Sequence, residues 1–315
     1  MRFQPRIVLN LKRLFSAALS IFLLTSCGDG SGTAFLSIGT GGTGGVYYPL
    51  GGGLANALST ADSTRQYTAE VTGGSVENVN RVVAGQIDMG FALAVAVWEE
   101  HQRDPSSSLR IAAPLYPNLL HVLVRDAADI QSIADLAGKR VSVGSAGSGT
   151  ERISEQLLAA WDLSYADISP QYLSFGESAA ALRDGALDAA IVSVGYPAAA
   201  VLDATSAGGI SILGIDQLGA ERVVAAHPYY STGIIPTGVY PTVDAEVPTL
   251  SMMNWIVVDA SIDESIIRAL LNILTDPGVS FARVHPMAQQ IDIEALNRAP
   301  IPLHGTAEAW MRDRE

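Results

Sequence analysis

The chain has 315 residues, a formal net charge of −13, and 48% hydrophobic against 16% charged residues. So acidic a surface makes nucleic acid and anionic membranes poor partners. Cys27 is the only cysteine, so no internal disulfide can form and an apolar core must hold the fold; the length allows one large domain or two lobes of roughly 100–200 residues.

Arg2, Arg6, Lys12 and Arg13 form a basic start, and 14–24 is an apolar stretch too short to anchor in a bilayer, which takes about 20 such residues. The stretch ends in Leu24-Thr-Ser-Cys27, which resembles the lipobox of bacterial lipoproteins. Small residues there admit a peptidase, and the thiol takes the lipid. An ordinary secretory signal with an incidental cysteine is the plainer alternative. The expectation is a lipoprotein leader over 1–26, lipidation at Cys27, and a Gly/Ser-rich flexible tether over 27–34. Removing the leader takes away four basic residues and no acid, so the charge falls from −13 to −17. No later run is long and apolar enough to span a membrane; the nearest, 186–202, is broken by Asp188, Gly195 and Pro197.

The body opens with a short apolar strand at 35–38, followed by the loop Gly39-Thr-Gly-Gly-Thr-Gly-Gly45 and a helix over 48–59. A strand at 67–71, a Gly-Gly-Ser turn at 73–75 and a helix over 76–84 come next. Gly85-Gln-Ile-Asp88 then leads into an apolar strand over 89–95. The stretch 111–124 carries Pro114 and Pro117 among apolar residues and reads as a first crossing between lobes.

A second arm repeats the order. A strand at 140–143, the loop Gly144-Ser-Ala-Gly-Ser-Gly-Thr150 and a helix over 151–161 lead to a strand at 171–175 and a helix over 177–183. Gly185-Ala-Leu-Asp188 and an apolar strand at 189–194 close the arm. The two Gly-x-x-Asp segments stand one hundred residues apart in equivalent places. Alternation of this kind predicts parallel βαβ units with helices on both faces. The chain is expected to cross back within 239–258, and Ser261-Ile-Asp-Glu264 has the form of a capping box opening a helix.

Each Gly/Ser/Thr loop falls between a strand end and a helix start, where backbone N–H groups lack intrahelical partners and the helix dipole is positive. A carboxylate can be held there without a cationic side chain. Glycines permit close approach and positive φ, and Thr43, Ser148 and Thr150 supply hydroxyl donors. Tyr47 and Tyr48 follow directly on the first loop and are candidates for the site. The alternative is that both loops are ordinary tight turns. Gly39-x-Gly41-x-x-Gly44 also matches the dinucleotide fingerprint, but no acidic residue clearly ends a second strand. A P-loop is excluded because Val46-Tyr47 stand where Lys and Ser/Thr are needed. Among the five histidines (His101, His121, His227, His285, His304) there is no metal-ligand spacing, and no serine has the G-x-S-x-G surround. No catalytic residue, metal or cofactor is expected.

Ile38-Gly-Thr-Gly-Gly-Thr-Gly-Gly-Val-Tyr-Tyr-Pro49 resembles the signature of the TAXI family, the extracytoplasmic solute-binding proteins of TRAP transporters. Glu70-Val-Thr-Gly-Gly-Ser-Val-Glu-Asn78, Leu115-Tyr-Pro117, Asp135-Leu-Ala-Gly-Lys-Arg-Val-Ser-Val-Gly144, Gly147-Ser-Gly-Thr150, Asp184-Gly185 with Asp188, and Ile301-Pro-Leu-His304 follow in order. The resemblance covers 35–311. It implies an α/β fold of the type II periplasmic-binding-protein kind, with two lobes joined by a hinge around a ligand cleft. Lobe one would take 35–116 and 245–315, and lobe two 117–244. It implies a lipid-anchored, extracytoplasmic monomer that captures a small carboxylate (glutamate, another amino acid, or a keto or dicarboxylic acid) and hands it to the TRAP permease. By position the binding residues would be Gly42, Thr43, Gly44, Tyr47 and Ser75 from lobe one, and Gly147, Ser148, Gly149, Thr150 and Gly195 from lobe two.

One departure stands out. After Gly90-Phe91 the family commonly carries a polar stretch, whereas here 92–98 reads Ala-Leu-Ala-Val-Ala-Val-Trp. Read as a strand end facing the cleft, it implies a less polar carboxylate or keto acid; read as core, it leaves the ligand unchanged. A sensor's binding module and, more remotely, an exported nucleotide-dependent oxidoreductase are the competing functions.

Overall fold

The computed structural model describes residues 33–276 and 280–314. The leader, Cys27 and the tether up to residue 32 lie outside the described residues. The first arm runs β1 (Ala34–Gly39), α1 (Tyr47–Ala61), β2 (Arg65–Glu70), α2 (Ser75–Val83) and β3 (Met89–Leu93). After α3 (Ala94–Arg103) and β4 (Leu109–Arg125), the second arm runs β5 (Arg140–Ser142), α4 (Gly149–Ala160), β6 (Ser169–Gln171), α5 (Phe175–Arg183) and β7 (Ala189–Val194). There follow α6 (Ala199–Thr205), β8 (Ile210–Leu213), α7 (Gln217–Ala226), β9 (Tyr230–Ile235), β10 (Val247–Asp259), α8 (Glu264–Thr275) and α9 (Gly305–Arg312).

The strand–helix alternation gives parallel pairing within each arm: β1 with β3, and β5 with both β6 and β7. The hundred-residue echo is physical. Asp88 accepts from the Ser37 N–H at 2.7 Å, and Asp188 accepts from the Arg140 N–H at 2.9 Å. Each Asp returns its own N–H to the carbonyl of that same residue. Gly85 and Gly185, at φ 65° and 74°, end the preceding helices in the left-handed conformation that glycine adopts without strain.

The strand order is β2-β1-β3-β10-β4-β7-β5-β6, with β8 added beside β4 and β9 beside β10. β3 and β7, flanked on both sides, are buried at every position, which explains their unbroken apolar runs. β4 is the longest strand, 17 residues, or about 55 Å at roughly 3.3 Å per residue. It pairs with β10 up to Leu119 and with β7 from Leu119 onward, so it joins the two arms. Two register shifts interrupt its pairing with β10, between Met253 and Trp255 and between Ile256 and Val257. Pro114 and Pro117 lie opposite Trp255 and Met253, in the irregular part of the ladder that tolerates a missing N–H. The Pro-marked crossing is therefore a bulged antiparallel pair.

Two expectations need correction. The apolar run at 92–97 is not a strand end: β3 stops at Leu93 and Ala94 begins α3. Its N-terminus has no side-chain cap of its own, but the Leu93 N–H is accepted by Ser75 Oγ at 3.0 Å. The helix is thus started by a residue from α2, which no local pattern encodes. Likewise α8 begins at Glu264 with Asp263 as its N-cap, accepting from the Ser265 N–H at 2.8 Å. Ser261 turns back to Asp259 instead of forming the capping box.

Candidate functional site

Four helix N-termini meet between the arms: α1 behind the loop at 39–45, α2 behind Gly73-Gly74, α4 behind the loop at 144–150, and α5 behind Ser174. Together with β4 and β7 they enclose a cavity of about 60 Å³. The first arm contributes Gly41, Gly42, Gly45, Tyr47, Ser75 and Leu93. The second arm contributes Ser145, Ser148, Gly149, Thr150, Ser174, Phe175 and Ser193, and the floor is Tyr116 and Asn118 of β4.

The glycines let the two sides close. The Gly44 carbonyl accepts from the Ala200 N–H at 3.1 Å, and the Gly147 carbonyl accepts from the Glu77 N–H at 3.0 Å. A Cβ on Gly44 would stand 3.1 Å from both Ala200 Cβ and Gly176 N, and one on Gly149 would stand 2.7 Å from Leu93 Cδ1. Positive φ is used at Gly144 (94°) and Gly147 (75°) in the second loop, but at no glycine of 39–45. In the first loop close approach calls for glycine at Gly39, where a Cβ would stand 2.6 Å from Asn78 Oδ1, and at Gly44.

The electrostatics differ among the four helix ends. Glu77 accepts from the Gly73 N–H at 2.7 Å, Glu151 from Gly147 at 2.8 Å, and Glu177 from Ser174 at 2.8 Å. Each of these acids offsets the dipole of its own helix. The α1 end has neither an acid in its first turn nor a side-chain cap. Among the described residues of the cavity wall none is Asp, Glu, Arg, Lys or His. The α3 end, whose N-cap Leu93 also lines the cavity, likewise has no first-turn acid and no side-chain cap.

A hydrogen-bonded floor spans both arms. Asn254 of β10 accepts from the Tyr47 hydroxyl and donates to the Tyr116 carbonyl at 2.7 Å and to Asn118 Oδ1 at 2.8 Å. Asn118 in turn donates to the Ser193 carbonyl at 2.9 Å. Tyr47 stands edge-on to Phe91 and Tyr116, with ring centroids 5.6 Å and 6.5 Å apart. The Tyr116 side chain is 0% exposed, and its hydroxyl has no protein partner. Burial raises the pKa of both hydroxyls well above the usual tyrosine range, so each keeps its proton.

Of the residues singled out from the sequence, Gly42, Tyr47, Ser75, Ser148, Gly149 and Thr150 line the cavity. Thr43 and Tyr48 are exposed and do not line it. Gly44 and Gly147 lie at the contacts between the two sides. Gly195 lies behind the wall: a Cβ there would come within 2.6 Å of Tyr116 Cε2 and 2.8 Å of Met287 Cγ, so its bareness makes room for the Tyr116 ring. Sequence reasoning missed Tyr116, Asn118, Ser193, Asn254 and the Ser174–Phe175 end. The echo held a signal for the last, since Ser174 stands one hundred residues after Gly74. Asn118 and Asn254 were visible as lone amides inside apolar strands.

Residues 38–313 match the model of the NMT1-like family. The chain belongs to the NMT1-like family. Three solved structures similar to this NMT1-like chain are distant from it in sequence. The alkanesulfonate-binding protein SsuA from Xanthomonas axonopodis pv. citri, bound to MOPS, is 17% identical at a TM-score of 0.50, over 85% of this chain and 84% of that one. An ancestral arginine-binding protein bound to arginine is 19% identical at 0.52, over 80% and 97%. A Bordetella bronchiseptica RB50 protein is 18% identical at 0.53, over 87% and 82%. At these identities the likeness establishes the fold: two α/β lobes of the periplasmic-binding-protein kind around a cleft, which here is the cavity between the arms.

Proposed function

We propose that this chain is an extracytoplasmic solute-binding receptor that closes its two lobes around one small carboxylate and presents it to a membrane permease. The observation that carries this reading is a cavity walled by both arms, built from helix N-termini and bridged by the Ala200 and Glu77 N–H groups donating to the Gly44 and Gly147 carbonyls. Binding proteins for an alkanesulfonate and for arginine share the fold, which supports capture of a small polar solute. We assign 35–116 and 245–315 to one lobe and 117–244 to the other, joined through β4 and β10.

The ordered motif set supports a TAXI-type receptor handing its cargo to a TRAP permease driven by an ion gradient. The basic–apolar leader and Cys27 support export and a lipid anchor. Among the described residues no helix is long and apolar enough to cross a membrane. The uncharged wall supports binding without catalysis. Gly42, Tyr47, Ser75, Ser148, Gly149 and Thr150 form the contact set of this reading, with Gly44, Gly147 and Gly195 shaping it. Ligand-dependent compaction in solution scattering tests it, because a receptor of this fold must open to load and close to hold.

A further inference from the structure

We infer that the chain carries a second ligand site, on the face of β4 and β10 opposite the cleft, and that this site takes a flat aromatic anion. Alternation along the two strands separates the sites. Tyr116 and Asn118 line the cleft cavity, while Pro117 between them lines a hollow behind it. On β10, Asn254 bonds into the cleft floor, while its neighbours Met253 and Trp255 line the hollow. α3, the start of β9 and residues 295–300 complete the hollow, which has a volume of about 530 Å³. Ligand sites run to roughly 300–1,000 Å³, so a fused pair of rings has room there.

The wall of the hollow sets the shape of the ligand. Trp98, Tyr229, Tyr230 and Trp255 all lie on it, in a chain that is only 7% aromatic. The ring centroids of Trp98 and Tyr229 are 6.4 Å apart, and those of Tyr229 and Tyr230 5.3 Å. Both tyrosine hydroxyls are already bonded to Gln156, at 3.0 Å and 2.8 Å, so the rings are what a ligand would meet. Aromatic rings favour a flat partner in offset or edge-on contact.

Such rings also suit a cation, and the charges on the wall decide against one. Among the described residues lining the hollow, Arg298 alone is charged. It is exposed and has no ion pair or hydrogen bond with any described residue. Glu99, next to Trp98 in the chain, lines the neighbouring groove and is engaged by Arg152 at 3.0 Å. A cation in the hollow would therefore meet a guanidinium and no carboxylate, whereas a carboxylate finds a planar fork of N–H donors. Trp255 is a further donor without an acceptor. It is 2% exposed, and its indole N–H, which can only donate, has no protein partner.

The test is a matched set of probes. Calorimetry on the purified protein would compare 2-naphthoate, its saturated counterpart decahydro-2-naphthoate, and 2-naphthylmethylamine. The expected result is that 2-naphthoate binds at least about 5-fold more tightly than either of the others, with an affinity that falls as salt rises. Arg298→Gln removes an exposed, unpartnered side chain and should leave the melting temperature unchanged. It should weaken 2-naphthoate about 3- to 5-fold, as the loss of an exposed ion pair does, and flatten the salt dependence. Equal or tighter binding of the amine or the saturated acid overturns the inference. So does an unchanged affinity for 2-naphthoate in Arg298→Gln, which would put the probe elsewhere on the protein, and so does the absence of 2-naphthoate binding at millimolar concentration. Arg298 lies outside the cleft wall, so none of these results bears on the receptor reading.

Discussion

Asn78 ties the first arm together before any ligand arrives. It is fully buried, donates to the Thr40 carbonyl at 2.6 Å and the Phe91 carbonyl at 2.8 Å, and accepts from Thr72 Oγ1 at 2.8 Å. One side chain thus locks the first loop to β3 and α2. Asn78→Ala should cost about 2–4 kcal/mol by leaving those carbonyls unpaired, read from urea unfolding; a midpoint that does not move would mean water replaces the amide. Thr43 is the opposite case. Its hydroxyl suggested a ligand donor in sequence, but the residue is exposed and off the wall. Thr43→Val is therefore expected to leave ligand affinity within about 0.5 kcal/mol, and a tenfold loss by calorimetry would return Thr43 to the site. A Gly/Thr loop announces its backbone use clearly, but the direction of one hydroxyl is set by the packing of both lobes.

At the scale of elements, the two arms were legible because their signals are local. Glycine turns, apolar runs and the Gly-x-x-Asp echo fixed strand–loop–helix order, and the pairing of Asp88 and Asp188 with the opposite strand shows why the echo exists. The switch from β3 to α3 was not legible. Its helix start is supported by Ser75 from elsewhere in the chain, and an apolar run without a turn residue fits strand or helix alike. β4 holds a further element-scale consequence. His121 is buried within it, with Nδ1 3.0 Å from the Leu119 carbonyl and Nε2 3.2 Å from the Tyr240 hydroxyl. Burial lowers its pKa from 6.5 to about 4. The unfolded chain therefore binds the proton first, and stability present above pH 6.5 is lost as pH falls toward 4. The loss should be about 3 kcal/mol. Urea unfolding from pH 7 to 4 should show a shallower decline in His121→Gln than in wild type; identical slopes would contradict the assignment.

For the whole molecule, the sequence pointed to two arms and a cleft, and the structure adds how the cleft shuts. Closure brings backbone against backbone at Gly44–Ala200 and Glu77–Gly147, while the half-exposed Arg152–Glu99 pair, at 3.0 Å, joins α4 to α3 outside the cavity. Exposed ion pairs of this kind contribute at most about 1 kcal/mol. The floor network from Tyr47 through Asn254 and Asn118 to Ser193 crosses β10, β4 and β7, and it could not be read from sequence because its members lie far apart in the chain. The central claim is that the lobes close on a small anion. Small-angle scattering of ligand-free protein, titrated with the carboxylate that calorimetry shows to bind, tests it most directly. The account predicts a fall in the radius of gyration that saturates with occupancy; an unchanged radius at full occupancy would contradict it.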